Sequence, residues 1–247
     1  MKTIELKDLM KAGLHFGHKP SSWNPKMESF LFGIKAGVHV INLEKTKEYL
    51  EKAAEFVRSV AGQGGTILYI GTKPQAKKII EKQALKVEMP YVNERWFGGT
   101  ITNFTEIHKL IKKMQDLVSG SQLDDYEQKY TKKERLVFSE EIKKLEKGIG
   151  GIANMTKLPD AVFIASIREE KTAVSECIKL NIPIVGVCDS NANPNGVKHI
   201  IPANDDAVKS IEFVVSYITD AIEIGKREHK ELEKNKPIEV VKTKDKK

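Results

Sequence analysis

Apolar residues cluster along this chain in short runs rich in β-branched side chains, and between the runs they recur every three or four positions. The runs are Thr66 to Gly71, Pro90 to Asn93, Ala161 to Ser166, Pro183 to Asp189 and His199 to Asn204. Runs this short and this continuously apolar are the pattern of strands buried on both faces. The three-and-four spacing between them predicts helices over Leu43 to Gly62, Pro74 to Val87, Glu170 to Leu180 and Asp205 to Glu228. Strands that alternate with helices predict an α/β fold built on a parallel sheet.

One stretch interrupts the alternation. Phe104, Ile107, Ile111, Met114 and Val118 keep one helical seam, and beyond a polar tip Phe138, Ile142, Leu145 and Ile149 keep another. Two such seams predict an antiparallel coiled-coil hairpin inserted at residues 104–149, solvated outside and separable from the folding core. Asn103 with Glu106 reads as its opening cap, and the glycines from Gly148 to Gly151 as its end. Residues 1–228 therefore read as one α/β unit carrying the insertion, and residues 229–247 as a disordered lysine-rich tail.

Charge sharpens this picture without deciding it. Forty-one lysines and arginines against 34 acidic residues give +7, and from Lys226 to Lys247 nine basic and five acidic side chains supply +4 of that excess. Such mild basicity admits a nucleic-acid partner. The two cysteines, Cys177 and Cys188, are too few for a disulfide framework, which fits a cytoplasmic protein. No apolar stretch approaches the roughly 20 residues of a membrane span, so no membrane partner is expected.

Candidate chemistry is sparse. The turn after Ile70, Gly71-Thr72-Lys73, sits where α/β folds bind phosphate, but lacks the glycine, lysine, hydroxyl order of a P-loop. Gly148, Gly150 and Ala153 match a dinucleotide fingerprint but follow a helix rather than a strand. Asp189 to Gly196 begins like a calcium loop, yet Pro194 stands where that loop needs glycine; it reads as a turn. Neither a Ser/His/Asp grouping nor a paired-acid motif is present, so no catalytic residue is named, although a dispersed active site need leave no local motif. A phosphate- or nucleotide-binding enzyme is the alternative that the fold class leaves open.

Two segments fit RNA. His15, His18, Lys19, Trp23, Asn24 and Lys26 stand within twelve positions, and rings beside cations suit RNA because rings stack on bases while ammonium groups meet phosphates. A loop packed on the sheet, its histidines satisfied by backbone, is an equal reading of those residues. Arg95 and Trp96, before a glycine pair, are either an outward cation and ring or part of a structural bend. Cations on the hairpin, Lys109, Lys112, Lys113, Lys132, Lys133 and Arg135, complete the RNA-binding set. His18, Asp189 and Asp205 could also converge on zinc, since both carboxylates follow strands and an imidazole with carboxylates is an acceptable zinc set. Two caps and a backbone-bonded histidine is the plainer reading. No other cofactor is expected.

Several long segments carry a resemblance. The segments "DLMKAGLHFGHKPSSWNPKM", "FGIKAGVHVINLEKT", "ILYIGTK", "RWFGGTITNF" and the stretch from Leu145 to Ala207 resemble the bacterial small-subunit ribosomal protein two family over roughly Ile4 to Gly225. The resemblance implies a flavodoxin-like α/β domain with a protruding α-hairpin, located in the ribosome and without catalytic activity. It also implies contacts with small-subunit ribosomal RNA and other small-subunit proteins, among them the multi-OB-fold protein that helps recruit messenger RNA. The lysine-rich tail matches no motif of that family.

Overall fold

A computed structural model describes residues 3–122 and 126–234. The chain opens with α1 (Leu6–Ala12) and two 3₁₀ turns, Pro20–Ser22 and Pro25–Phe30. An antiparallel ribbon follows, β1 (Leu31–Lys35) and β2 (Val38–Ile41), which the short runs did not predict. Ala36 and Gly37 both take positive φ, 51° and 77°, as a tight two-residue hairpin turn requires.

After α2 (Leu43–Gly62), the chain alternates as predicted: β3 (Ile67–Ile70), α3 (Lys77–Lys86) and β4 (Tyr91–Val92). Next come α4 (Phe104–Ser121), α5 (Tyr126–Lys129) and α6 (Lys132–Ile149), and then β5 (Ala161–Ile164), α7 (Lys171–Lys179), β6 (Ile184–Cys188), β7 (His199–Pro202) and α8 (Val208–Lys234). Five strands form one parallel sheet in the order β4-β3-β5-β6-β7. In chain order of the sheet strands this is 2-1-3-4-5, the flavodoxin-like order, with its switch point between β3 and β5.

Side-chain alternation splits each strand between two cores. Ile67, Tyr69, Ala161, Phe163, Val185 and Val187 face one, which α2 and α8 cover with Leu50, Val57, Val214 and Ile218. Leu68, Ile70, Val162, Ile164, Ile184 and Cys188 face the other, closed by α7, the start of α4 and the turns around it. Close approach of α2 and α8 depends on Gly225: a Cβ there would lie 2.3 Å from the Arg58 carbonyl oxygen and 3.0 Å from Ala61.

Three sequence expectations need correction. The whole insertion does not stand apart from the sheet: Ile107, Ile111 and Met114 of α4, and Ile149 at the end of α6, are buried in the same cluster as Leu68, Ile164 and Ile184. Asn103 precedes α4 but its side chain makes no capping bond; the capping box belongs to α6, where Thr131 and Glu134 satisfy each other. Residues 229–234 are helical rather than disordered, since α8 runs on to Lys234 past its buried stripe from Ile211 to Gly225; the rest of the expected tail, residues 235–247, lies outside the described residues.

Candidate nucleic-acid interface and a polar cluster at the sheet edge

The loop before β1 is held down by backbone. The Asn24 N–H donates to the Ser190 carbonyl at 2.8 Å, and the Asn24 side chain accepts from the Lys26 N–H, which opens the second 3₁₀ turn. Trp23 is half-buried, its ring 5.1 Å from that of His39. The His15 ring lies against Phe16 at 4.0 Å. Burial, aided by the charge of Lys35, pushes its pKa down, so it stays neutral at pH 7. Lys19 and Lys26 are exposed. The rings of this loop pack while its ammonium groups face water, but its histidine rings are not satisfied by backbone: His15 Nδ1 is buried without a hydrogen-bond partner among the described residues, and His18 meets carboxylates.

At the second segment the structure separates two neighbours. Arg95 is exposed, but Trp96 is not an outward ring: it is 9% exposed and its Nε1 donates to Glu176 at 3.0 Å. Glu176, buried on α7, accepts in addition from the N–H groups of Gly99 (2.8 Å), Ile101 (3.1 Å) and Thr102 (3.0 Å) and from the Thr102 hydroxyl (3.0 Å). Burial raises its pKa, but the hydrogen bonds from Trp96 and the backbone outweigh that and leave it below the ordinary carboxylate value. One carboxylate therefore fixes the bend that aims Arg95 outward and starts α4. A glutamate in register with Ala173, Val174 and Cys177 on the buried face of α7 was the sequence signal for it.

On the inserted helices, Lys109, Lys112, Lys113, Lys132 and Lys133 are all exposed and Arg135 is half-buried. Lys109 pairs with Glu106 at 2.6 Å, and Lys113 with Glu141 across the two helices. Exposed pairs of this kind are weak, on the order of 0–1 kcal/mol, so these cations stay available to phosphate.

A polar cluster occupies the carboxyl edge of the sheet. His18 Nδ1 lies 3.2 Å from Asp189 Oδ1, an ion-pair contact, and Nε2 lies 3.2 Å from Asp206 Oδ2. The Ser190 hydroxyl donates to Asp189 Oδ1 at 3.0 Å and accepts the His18 N–H at 2.8 Å. The Asp189 contact above all raises the His18 pKa, against a smaller loss from burial.

Asp205 is not the third member of this group. It is buried, and its two oxygens are taken by Lys73 Nζ (2.7 Å) and the Ser166 hydroxyl (2.5 Å), partners that a carboxylate inside the protein requires. Its exposed neighbour Asp206 reaches His18 instead, and Lys73 Nζ touches that carboxylate as well, at 2.8 Å. Sequence could not separate two adjacent aspartates in one turn. Lys73, set aside with its turn, proves to be the cation that joins them.

Beside this cluster lies the switch point. There the Thr72 N–H and hydroxyl both donate to Glu170, at 2.8 and 2.7 Å. The donors a phosphate would use after β3 are already committed to a buried carboxylate, which argues against nucleotide binding at this turn.

The match to known proteins is extensive. The family model described as Ribosomal protein S2 matches residues 9–225. The chain belongs to the ribosomal protein S2 family. It is 44% identical over 225 residues to the small ribosomal subunit protein uS2 of Bifidobacterium longum (strain DJO10A), covering 91% of this chain and 80% of that protein. It is 42% identical over 227 residues to the uS2 of Corynebacterium urealyticum, covering 92% and 84%. With the uS2 of Streptomyces coelicolor the identity is 43% over 225 residues, covering 91% and 73%. The matched span of the S2 family model contains both segments picked out for RNA and the whole polar cluster. Membership of this family makes the chain a ribosomal protein rather than an enzyme.

Proposed function

We propose that the chain is a structural constituent of the small ribosomal subunit that binds ribosomal RNA directly, through exposed cations held on rigid elements. Family membership supports the subunit, and one observation carries the RNA reading: Lys19, Lys26, Arg95, Lys109, Lys112, Lys132 and Lys133 are all exposed while the rings and backbone around them are fixed by packing. Such a surface meets phosphates without having to order the backbone that carries the cations. Neighbouring small-subunit proteins, including the multi-OB-fold protein that recruits messenger RNA, dock on the same α/β body in this reading, which places the chain in the cytoplasmic ribosome. Filter binding of small-subunit ribosomal RNA across a salt series tests it. Affinity should fall with salt at a slope of about 0.7 to 0.9 per neutralised phosphate; a salt-independent affinity would refute direct phosphate contact.

The polar cluster fits a divalent cation, with Asp206 in place of Asp205. One ligand atom from each of His18, Asp189 and Asp206 lies within 4.8 Å of the others, and an imidazole with two carboxylates is a zinc-type donor set. In this reading those three side chains hold zinc, which would tie the loop before β1 to the turn after β7. Equilibrium dialysis with zinc should give one bound ion per chain, lost in His18→Ala; equal zinc uptake by that variant would refute the site.

A further inference from the structure

A cleft of about 590 Å³ lies between α7 and the asparagine-rich turn after β6. Its size is that of small-ligand pockets, roughly 300–1,000 Å³. Val174 and the exposed Ile178 give it an aliphatic wall. Gly196, at φ +82°, lets the turn close on that wall, since a Cβ there would lie 2.3 Å from Ile178 Cδ1. Three exposed cations, Arg168, Lys171 and Lys179, line it, and among the described residues no carboxylate does.

Amides complete the lining. Asn191, Asn193 and Asn195 reach the cleft from the turn, and Asn191 Oδ1 is shielded from water with no hydrogen-bond partner among the described residues. Asn193 Oδ1 accepts from Lys26 Nζ at 3.5 Å, so the cleft is continuous with the cationic loop before β1. Three lining cations with no carboxylate on the lining favour an anion, although Arg168 also feels the charge of Asp206. Amides, each offering a donor and an acceptor, complement the edge of an unpaired base, and an aliphatic wall accepts its face.

We infer that this cleft takes one unpaired nucleotide, its base against Val174 and Ile178 with its edge on the asparagine amides, and its phosphates on Arg168 and Lys171. The assignment rests on the RNA-binding reading above and adds a position to it. The chemistry is that of a nucleoside monophosphate unit, whether within an RNA strand or free in solution.

The test uses the full chain and fluorescence anisotropy with a labelled single-stranded ten-nucleotide RNA, the same RNA in duplex form, and AMP and inorganic phosphate as competitors. Double replacement Arg168→Ala with Lys171→Ala should weaken single-strand binding about tenfold and lower its salt slope by about 1.4, the loss of two single-strand phosphate contacts. Duplex binding, carried by other cations, should change less than about twofold. A second variant, Asn191→Ala, should alter preference among homopolymeric strands while leaving the salt slope unchanged. Displacement by AMP but not by phosphate shows that the unit is held even outside a strand; displacement by neither shows that it is held only within RNA. Displacement by phosphate as readily as by AMP would mean an anion site without base recognition and would overturn the assignment. So would variants that melt normally and bind the single strand like the parent, which would leave the general RNA reading intact. A parent chain that binds no RNA at all would overturn both.

Discussion

Removing the Glu176 carboxylate should damage the bend between β4 and α4 more than any exposed change nearby. In Glu176→Ala five donors lose their acceptor: Trp96 Nε1, the N–H groups of Gly99, Ile101 and Thr102, and the Thr102 hydroxyl. Gly99 and Thr102 can turn to water, since neither is buried, but Trp96 and Ile101 are 9% and 1% exposed. Each buried donor left unpaired costs about 1–3 kcal/mol, so the two together cost about 4 kcal/mol. In a chain of this size that lowers Tm by about 8–16 °C. Urea unfolding followed by circular dichroism measures it as a lower midpoint at unchanged m.

Glu176→Gln should fall between the parent and Glu176→Ala, because its amide NH₂ group confronts N–H donors. A pH series separates charge from shape. The folded Glu176 pKa is depressed, so its contribution is complete above the ordinary carboxylate value and is lost as the pH falls through the depressed one. The gap between parent and Glu176→Ala should therefore be constant at neutral pH and narrow only in acid. A loss below about 1 kcal/mol at pH 7 would refute the argument, since the buried donors would then have found other partners.

The remaining predictions concern packing and the edge cluster. Ile111→Ala should cost about 2–5 kcal/mol in urea unfolding, while Leu136→Ala, 60% exposed on the partner helix, should cost less than about 0.5 kcal/mol; equal effects would return the inserted helices to the separable arm the sequence suggested. Gly225→Ala forces a Cβ onto the Arg58 carbonyl oxygen and should destabilise by about 1–3 kcal/mol, read as a lower Tm, despite the higher helix propensity of alanine; a gain in Tm would contradict the close approach of α2 and α8. Lys73→Met leaves the buried Asp205 without its ammonium partner and should cost about 3 kcal/mol at pH 7; a neutral result in urea unfolding would mean that Ser166 suffices.

Legibility in the sequence followed burial. The three central strands could be read because a strand covered on both faces must be apolar throughout, as Ile67–Ile70, Ala161–Ile164 and Ile184–Cys188 are, while the half-buried edge strands β4 and β7 gave shorter runs followed by turn residues. The β1–β2 ribbon could not, because Phe32, Ile34 and their neighbours are largely exposed and give no two-sided run. Exposed cations such as Lys19, Lys26 and Arg95 stood out by composition. Buried polar groups did not: neither the outward-ring and bend readings of Trp96 nor the ligand and cap readings of Asp205 could be separated, because each is satisfied by a residue distant in sequence, Glu176 and Lys73. Periodicity reports which side of a helix is buried but not which carboxylate a buried donor will find. The long motif resemblance supplied the family, which the fold alone could not have done.

Co-sedimentation with small ribosomal subunits lacking this protein tests the central claim most directly. The full chain should enter the subunit peak at one copy per subunit, and a variant with Lys19, Lys26, Arg95, Lys112, Lys132 and Lys133 replaced by glutamine should fold normally yet remain at the top of the gradient. A parent chain that stays unbound would contradict its assignment as a structural constituent of the subunit, and a variant that incorporates as fully as the parent would contradict the assignment of those exposed cations to its RNA contacts.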